Sequence, residues 1–234
     1  MLFEYEFLKR EFKVNESYDT LFKNKMFYDA KDLNINENDE FDIFLSHSYA
    51  DRNIIPQLKK ALELMGYKVY VDWINDRLLS RENVTKETAE ILQKRMKQSK
   101  SLFFATSENS PSSKWMPWEL GYFDGIKNKR VAILPIKNQD NQFKNDFRGQ
   151  EYLGLYYYVT LDNAAKSLLG KVYAMEPNYF KEFIKKLQNQ TTMYINKDTN
   201  SFVHFPDWIN GEEPLNEDQK MVMNLNIVED KLNE

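Results

Sequence analysis

"FDIFLSHSYADRNIIPQLKKALELMGYKVYVD", residues 41–72, decides the architecture. It opens on "FDIFLS" (41–46), a short apolar run rich in β-formers that predicts a strand. Ile54, Ile55, Leu58, Ala61, Leu62 and Met65 then mark one face of a helix, with Gly66 placed to stop it. Pro56 fits only if that helix begins just before it, around residues 51–53, where its missing N–H costs nothing. "YKVYVD" (67–72) follows as a second strand. Strand, helix, strand in that order is a crossover unit, and it makes the two strands parallel.

The pattern continues downstream. A helix is predicted from about Thr85, with Val84, Thr88, Ile91, Leu92 and Met96 on one side. "SLFFAT" (101–106), "RVAILPI" (130–136) and "YLGLYYYVTL" (152–161) read as strands three to five, and "YFKEFIKKL" (179–187) as an amphipathic helix. The expected fold is therefore α/β, a flavodoxin-like parallel sheet of about five strands flanked by helices. Residues 1–39 read as an N-terminal extension, 40–190 as the domain and 191–234 as a C-terminal extension. The tetrapeptide "DWIN" occurs at 72–75 and again at 207–210, without shared surroundings, which reads as chance.

Composition narrows the chemistry. The formal net charge is −4 and no basic run tracks a phosphate backbone, which argues against a nucleic-acid partner. There is no cysteine, so disulfides, thiol catalysis and cysteine-ligated metals are excluded. Only His47 and His204 offer imidazole, so no metal site is expected. No apolar run approaches the roughly 20 residues that span a bilayer, and a cytoplasmic protein without a membrane partner is the expectation.

An open α/β sheet binds its ligands beyond the carboxyl ends of its strands, where the strand order reverses. For order 2-1-3-4-5 that crevice lies between the first and third strands. The loops "SHSYAD" (46–51) and "SENSPSSK" (107–114) flank it, and "WINDRLLSREN" (73–83) can fold over as a lid. The second of these loops delivers Glu119, a carboxylate set among Trp115, Trp118, Tyr122 and Phe123. Pro117 requires the helix to begin between about Ser113 and Met116, which puts Glu119 in its first two turns, near the positive end of the dipole.

Three motifs carry a resemblance. "FDIFLSHSYAD", "GYKVYVDW" and "SKWMPWEL" resemble, in order and spacing, the signatures of Toll/interleukin-receptor (TIR) domains, and "ATSENSPSSKWMPWELGYFDG" is similar to bacterial stand-alone members. His47 stands where a tyrosine is usual, and Asn75-Asp76-Arg77 replaces the Pro-Gly turn of receptor members. The resemblance implies an NAD⁺ glycohydrolase or cyclase of antiphage defence, with Glu119 catalytic and Trp115 stacking on the substrate base. It implies substrate contacts from Ser46, His47 and Ser48 in the first loop and from Asp72 and Trp73 on the lid side. NAD⁺ is then a consumed substrate and no cofactor is needed. Self-association through TIR domains, and a downstream effector that senses the product, complete the expectation.

Blander readings stand beside these. Glu119 can be a solvated helix residue, Ser46 and Asp51 can be caps, His47 a surface histidine, and Asp72 a support for the lid backbone. Trp115 is favoured as ligand-facing, with Trp118, Tyr122 and Phe123 as core. Two other functions remain open: a non-catalytic TIR–TIR interaction module, and a nucleoside N-glycosidase or deoxyribosyltransferase on a related sheet.

Overall fold

A computed structural model describes residues 2–11, 35–76, 85–137, 151–171, 179–190 and 192–220. Its centre is the expected parallel sheet. Strands β2 (Phe41–Ser46), β3 (Val69–Tyr70), β4 (Ser99–Thr106), β5 (Val131–Lys137) and β6 (Tyr157–Leu161) lie in the order β3-β2-β4-β5-β6. This is the 2-1-3-4-5 order, so the order reverses between β2 and β4, which pair in register from Phe41↔Ser99 to Ser46↔Phe104.

Along β2 and β4 the side chains alternate between two cores. Ile43, Leu45 and Phe103 enter one apolar cluster, whereas Phe44, Leu102 and Phe104 enter the other. A period of two with both faces apolar is what a sheet covered by helices on both sides demands. Helix α2 (Ile55–Leu64) lays Ile55, Leu58, Ala61 and Leu62 against the first face. Its first turn carries Pro56, and a separate 3₁₀ turn, Tyr49–Asp51, occupies the residues where the helix was expected to start. Gly66, at φ 98°, ends α2 in the left-handed conformation that glycine adopts without strain. Helices α4 (Lys86–Lys97) and α5 (Trp115–Ile126) cover the second face with Leu92, Met96, Met116, Leu120 and Phe123, and Thr85 caps α4 through its hydroxyl.

The second strand is shorter than predicted. It ends at Tyr70, and Asp72 already begins a helical turn, α3 (Asp72–Asn75). Asp76, which follows, is held by Arg95 at 2.8 and 2.9 Å and by the Tyr70 hydroxyl at 2.7 Å. Burial and the neighbouring Asp76 charge push the Tyr70 hydroxyl well above its ordinary pKa, so it stays a donor. The rest of the expected lid, residues 77–83, and Val84, expected on the apolar face of the next helix, lie outside the described residues. The first half of the predicted fifth strand is instead a 3₁₀ turn, Glu151–Leu155.

The sheet is wider than five strands. At the N-terminus β1 (Phe3–Glu4) pairs parallel with β5, and α1 (Tyr5–Glu11) buries Phe7 and Leu8. Beyond helices α6 (Asn163–Lys171) and α7 (Phe180–Gln190), strands β7 (Met193–Asn196) and β8 (Phe202–His204) add antiparallel to β6. The boundary expected at residue 190 falls between α7 and β7, and the strands beyond it join the same sheet. A closing turn, α8 (Phe205–Ile209), sets Phe205 and Trp208 into the first core. No helix among the described residues is long and apolar enough to cross a membrane.

Candidate active site

Ser46 is the last residue of β2, and its neighbour across the ladder is Phe104 of β4. At this carboxyl end the chain turns sharply. Ser48 accepts the Ala50 N–H at 3.3 Å and so caps the 3₁₀ turn rather than projecting freely. Glu119, fifth residue of α5, meets the same strand end: the Ser46 hydroxyl donates to Glu119 Oε2 at 2.6 Å. Both residues have no exposed surface. The carboxylate therefore sits in the crevice at the reversal point, and the solvated-helix alternative is excluded. At 2.6 Å the contact is at the short end of the range for a hydroxyl donating to oxygen.

His47 is equally buried, which overturns the surface-histidine alternative. Its Nδ1 lies 2.9 Å from the Leu45 carbonyl, and its Nε2 accepts the Trp73 indole N–H at 2.9 Å. A carbonyl can only accept and an indole N–H can only donate, so the bonds fit a neutral imidazole protonated at Nδ1. Asp72, 2% exposed, approaches Nε2 at 3.8 Å. The first loop and the helical turn α3 are thus joined through His47, Trp73 and Asp72.

The two tryptophans of α5 divide differently from expectation in their exposure. Trp115 is 7% exposed within the second core, edge-on to Trp118 at 5.4 Å. Trp118 is only half-buried and stacks on Tyr122, itself half-buried, at 5.7 Å. Phe123 is core, as expected. The Trp115 Nε1 is buried with no hydrogen-bond partner among the described residues. Trp208 Nε1, far off in the first core, is in the same condition, so an orphaned indole does not by itself mark a ligand.

One further group gathers at this rim. Asp51, 3% exposed, accepts from Ser107 Oγ at 2.5 Å and from Asn109 Nδ2 at 2.6 Å, tying the loop after β4 to the loop after β2. The sequence marks Asp51 only as a possible cap. Nothing local distinguishes it, because its partners lie 56 and 58 residues away.

Fold and site together define a member of a known class. A family model described as a TIR domain matches residues 43–169, more than half of the chain, and the chain belongs to that family. Among curated proteins it is 52% identical, over 155 residues, to a Bacillus cereus (strain MSX-D12) protein provisionally named 3' cyclic ADP-D-ribose synthase ThsB'. That alignment covers 62% of this chain and 79% of the relative. A Cytobacillus dafuensis protein provisionally named cyclic ADP-D-ribose synthase TIR2 is 38% identical over 90 residues, 38% of this chain and 24% of that protein.

Proposed function

We propose that the chain cleaves the nicotinamide–ribose bond of NAD⁺ and closes the remaining ADP-ribose into a cyclic product, with Glu119 as the catalytic carboxylate. The observation that carries this reading is the buried Ser46–Glu119 contact at the sheet's reversal point. The relatives named as cyclic ADP-D-ribose synthases support the choice of substrate and product.

The chemistry asks little of the protein. As the C1'–N bond breaks, its electron pair neutralises the pyridinium, so nicotinamide leaves uncharged without a general acid. Positive charge grows on the ribose, as in glycoside hydrolysis. One ionised carboxylate beside that charge stabilises it, and Ser46 holds that carboxylate in place. A hydroxyl of the same molecule then forms a bond from its oxygen to C1' and releases its proton to solvent, closing the ring. The relative's name points to the 3' position for this closure. Water adding instead would give ADP-ribose. NAD⁺ is consumed, so it is a substrate and no cofactor is required.

Ser46 is engaged with Glu119 and supports it. His47, Asp72 and Trp73 form the wall that joins the first loop to the lid. Ser48 caps the 3₁₀ turn that follows His47 in the first loop. Trp115 is assigned to the substrate base as the resemblance implies, and with its ring buried in the second core it too meets substrate only when the crevice opens. Because Glu119 has no exposed surface, a ribose reaches it only when the crevice opens. This suits an enzyme held silent until triggered. The wider reading is a cytoplasmic antiphage protein that self-associates on activation and whose product informs a separate effector.

The test is direct. Purified chain at raised concentration is incubated with NAD⁺, and nicotinamide release and product mass are followed by chromatography and mass spectrometry. A product lighter than ADP-ribose by one water is expected, and Glu119→Gln should lower turnover about 100- to 1,000-fold. Turnover that survives in the variant removes the mechanism. Base release from nucleosides but not from NAD⁺ moves the assignment to a nucleoside glycosidase.

A further inference from the structure

We infer that Asp51 is a positioning residue for Glu119: its carboxylate clamps the loop that launches α5, and so fixes where the Glu119 carboxylate stands. The inference rests on the catalytic role proposed for Glu119.

Two ties cross the crevice between the same pair of segments. One is Ser46 to Glu119, and the other is Asp51 to Ser107 and Asn109. Asp51 sits five residues after Ser46, at the end of the 3₁₀ turn, and its backbone is held by Ser48 O at 3.0 Å. Both its side-chain oxygens are taken by donors from the opposite loop. A carboxylate so buried is tolerated because both of its oxygens are hydrogen-bonded.

From Asp51 a continuous chain of hydrogen bonds runs to α5. Ser107 Oγ accepts the Asn109 N–H at 3.1 Å, and the Asn109 carbonyl accepts both the N–H and the hydroxyl of Ser112. The Ser107 carbonyl also accepts the Ser110 hydroxyl at 2.8 Å, the Ser110 carbonyl accepts the Ser113 N–H at 3.1 Å, and Ser113 Oγ accepts the Met116 N–H at 3.3 Å. Helix α5 has no side-chain cap at Lys114, so this loop supports its start. Glu119 follows three residues after Met116. With Asp51 truncated, the loop loses its anchor to β2 and the start of α5 is free to shift. A displacement of about 1 Å at a reacting group costs up to about 100-fold in rate.

Two measurements test this, one of them independent of activity. In Asp51→Ala, amide hydrogen exchange should quicken more than about 10-fold in residues 109–116, while β2 and β4 keep their protection. Unchanged exchange in that segment overturns the inference whatever the enzyme does. In the NAD⁺ assay, Asp51→Ala should lower kcat about 10- to 100-fold with KM within about threefold. Ser107→Ala with Asn109→Ala should do the same, and all three together should do no worse. D51N combined with N109D exchanges donor and acceptor across one bond and should recover most of the lost kcat. An Asp51→Ala loss as deep as that of Glu119→Gln, with Ser107→Ala/Asn109→Ala unaffected, would mean that Asp51 meets substrate itself. Silence of the wild-type enzyme on NAD⁺ counts against the activity alone, since the exchange result stands without it.

Discussion

The same four residues, Asp-Trp-Ile-Asn, close two strands of this protein and do opposite things. After β3 they form α3, where Asp72 is 2% exposed and half-buried Trp73 spends its indole N–H on His47. After β8 the first three lie in α8 and Asn210 caps its end; there Asp207 faces solvent and Trp208 has no exposed surface. The repetition, which the sequence alone makes look accidental, places both copies on a helical turn that leaves a strand. The difference is one of phase. Asp72 is the first residue of its helix, whereas Asp207 is the third of its own. Two residues at 3.6 per turn rotate the motif by about 200°. One copy therefore turns its carboxylate toward the crevice, and the other turns its ring into the core against Phe205 at 6.2 Å.

On the proposed function this contrast separates a stability tryptophan from a site tryptophan, and substitutions can break it. Trp208→Ala removes a large, fully buried ring and should cost about 3–5 kcal/mol in denaturant unfolding. Turnover per folded molecule should stay as in wild type. If kcat falls in protein that is still folded, the α8 turn is not merely structural. Trp73→Phe keeps an aromatic ring but deletes the donor to His47 Nε2, for about 1–2 kcal/mol of stability. Here the effect on NAD⁺ cleavage should exceed the effect on the unfolding midpoint. Asp207→Asn, at an exposed position with His204 Nδ1 at 3.7 Å, should shift stability by no more than about 0.5 kcal/mol. A larger change would show that the second turn depends on its carboxylate after all.

Much of the parallel core was legible in the chain. Continuous apolar runs, a proline inside a helix start and a glycine after its end are local signals, and they placed β2, α2, β4, α5 and β5 within a few residues. The edges were less legible. Strands β7 and β8 carry polar residues on alternate positions, with half-buried Tyr194, Asn196 and Phe202, and they hold to the sheet by antiparallel pairing. A single exposed face weakens the hydrophobic signal. Strand β1 has only Phe3 and Glu4, too short for any periodicity to register.

For the site, spacing within one segment revealed Glu119, because Pro117 fixes where its helix begins and the aromatic residues around it are near neighbours in sequence. What the sequence by itself determined is the kind of group available: a glutamate in the first two turns of the helix that follows the third predicted strand, with no thiol in the chain. Only the tertiary structure decided which groups meet it. Ser46 lies 73 residues from Glu119, His47 lies 26 from Trp73, and Asp51 lies 56 from Ser107. Such pairings arise when strand order brings distant loops to one rim, and each depends on a rotation or register that local sequence leaves open.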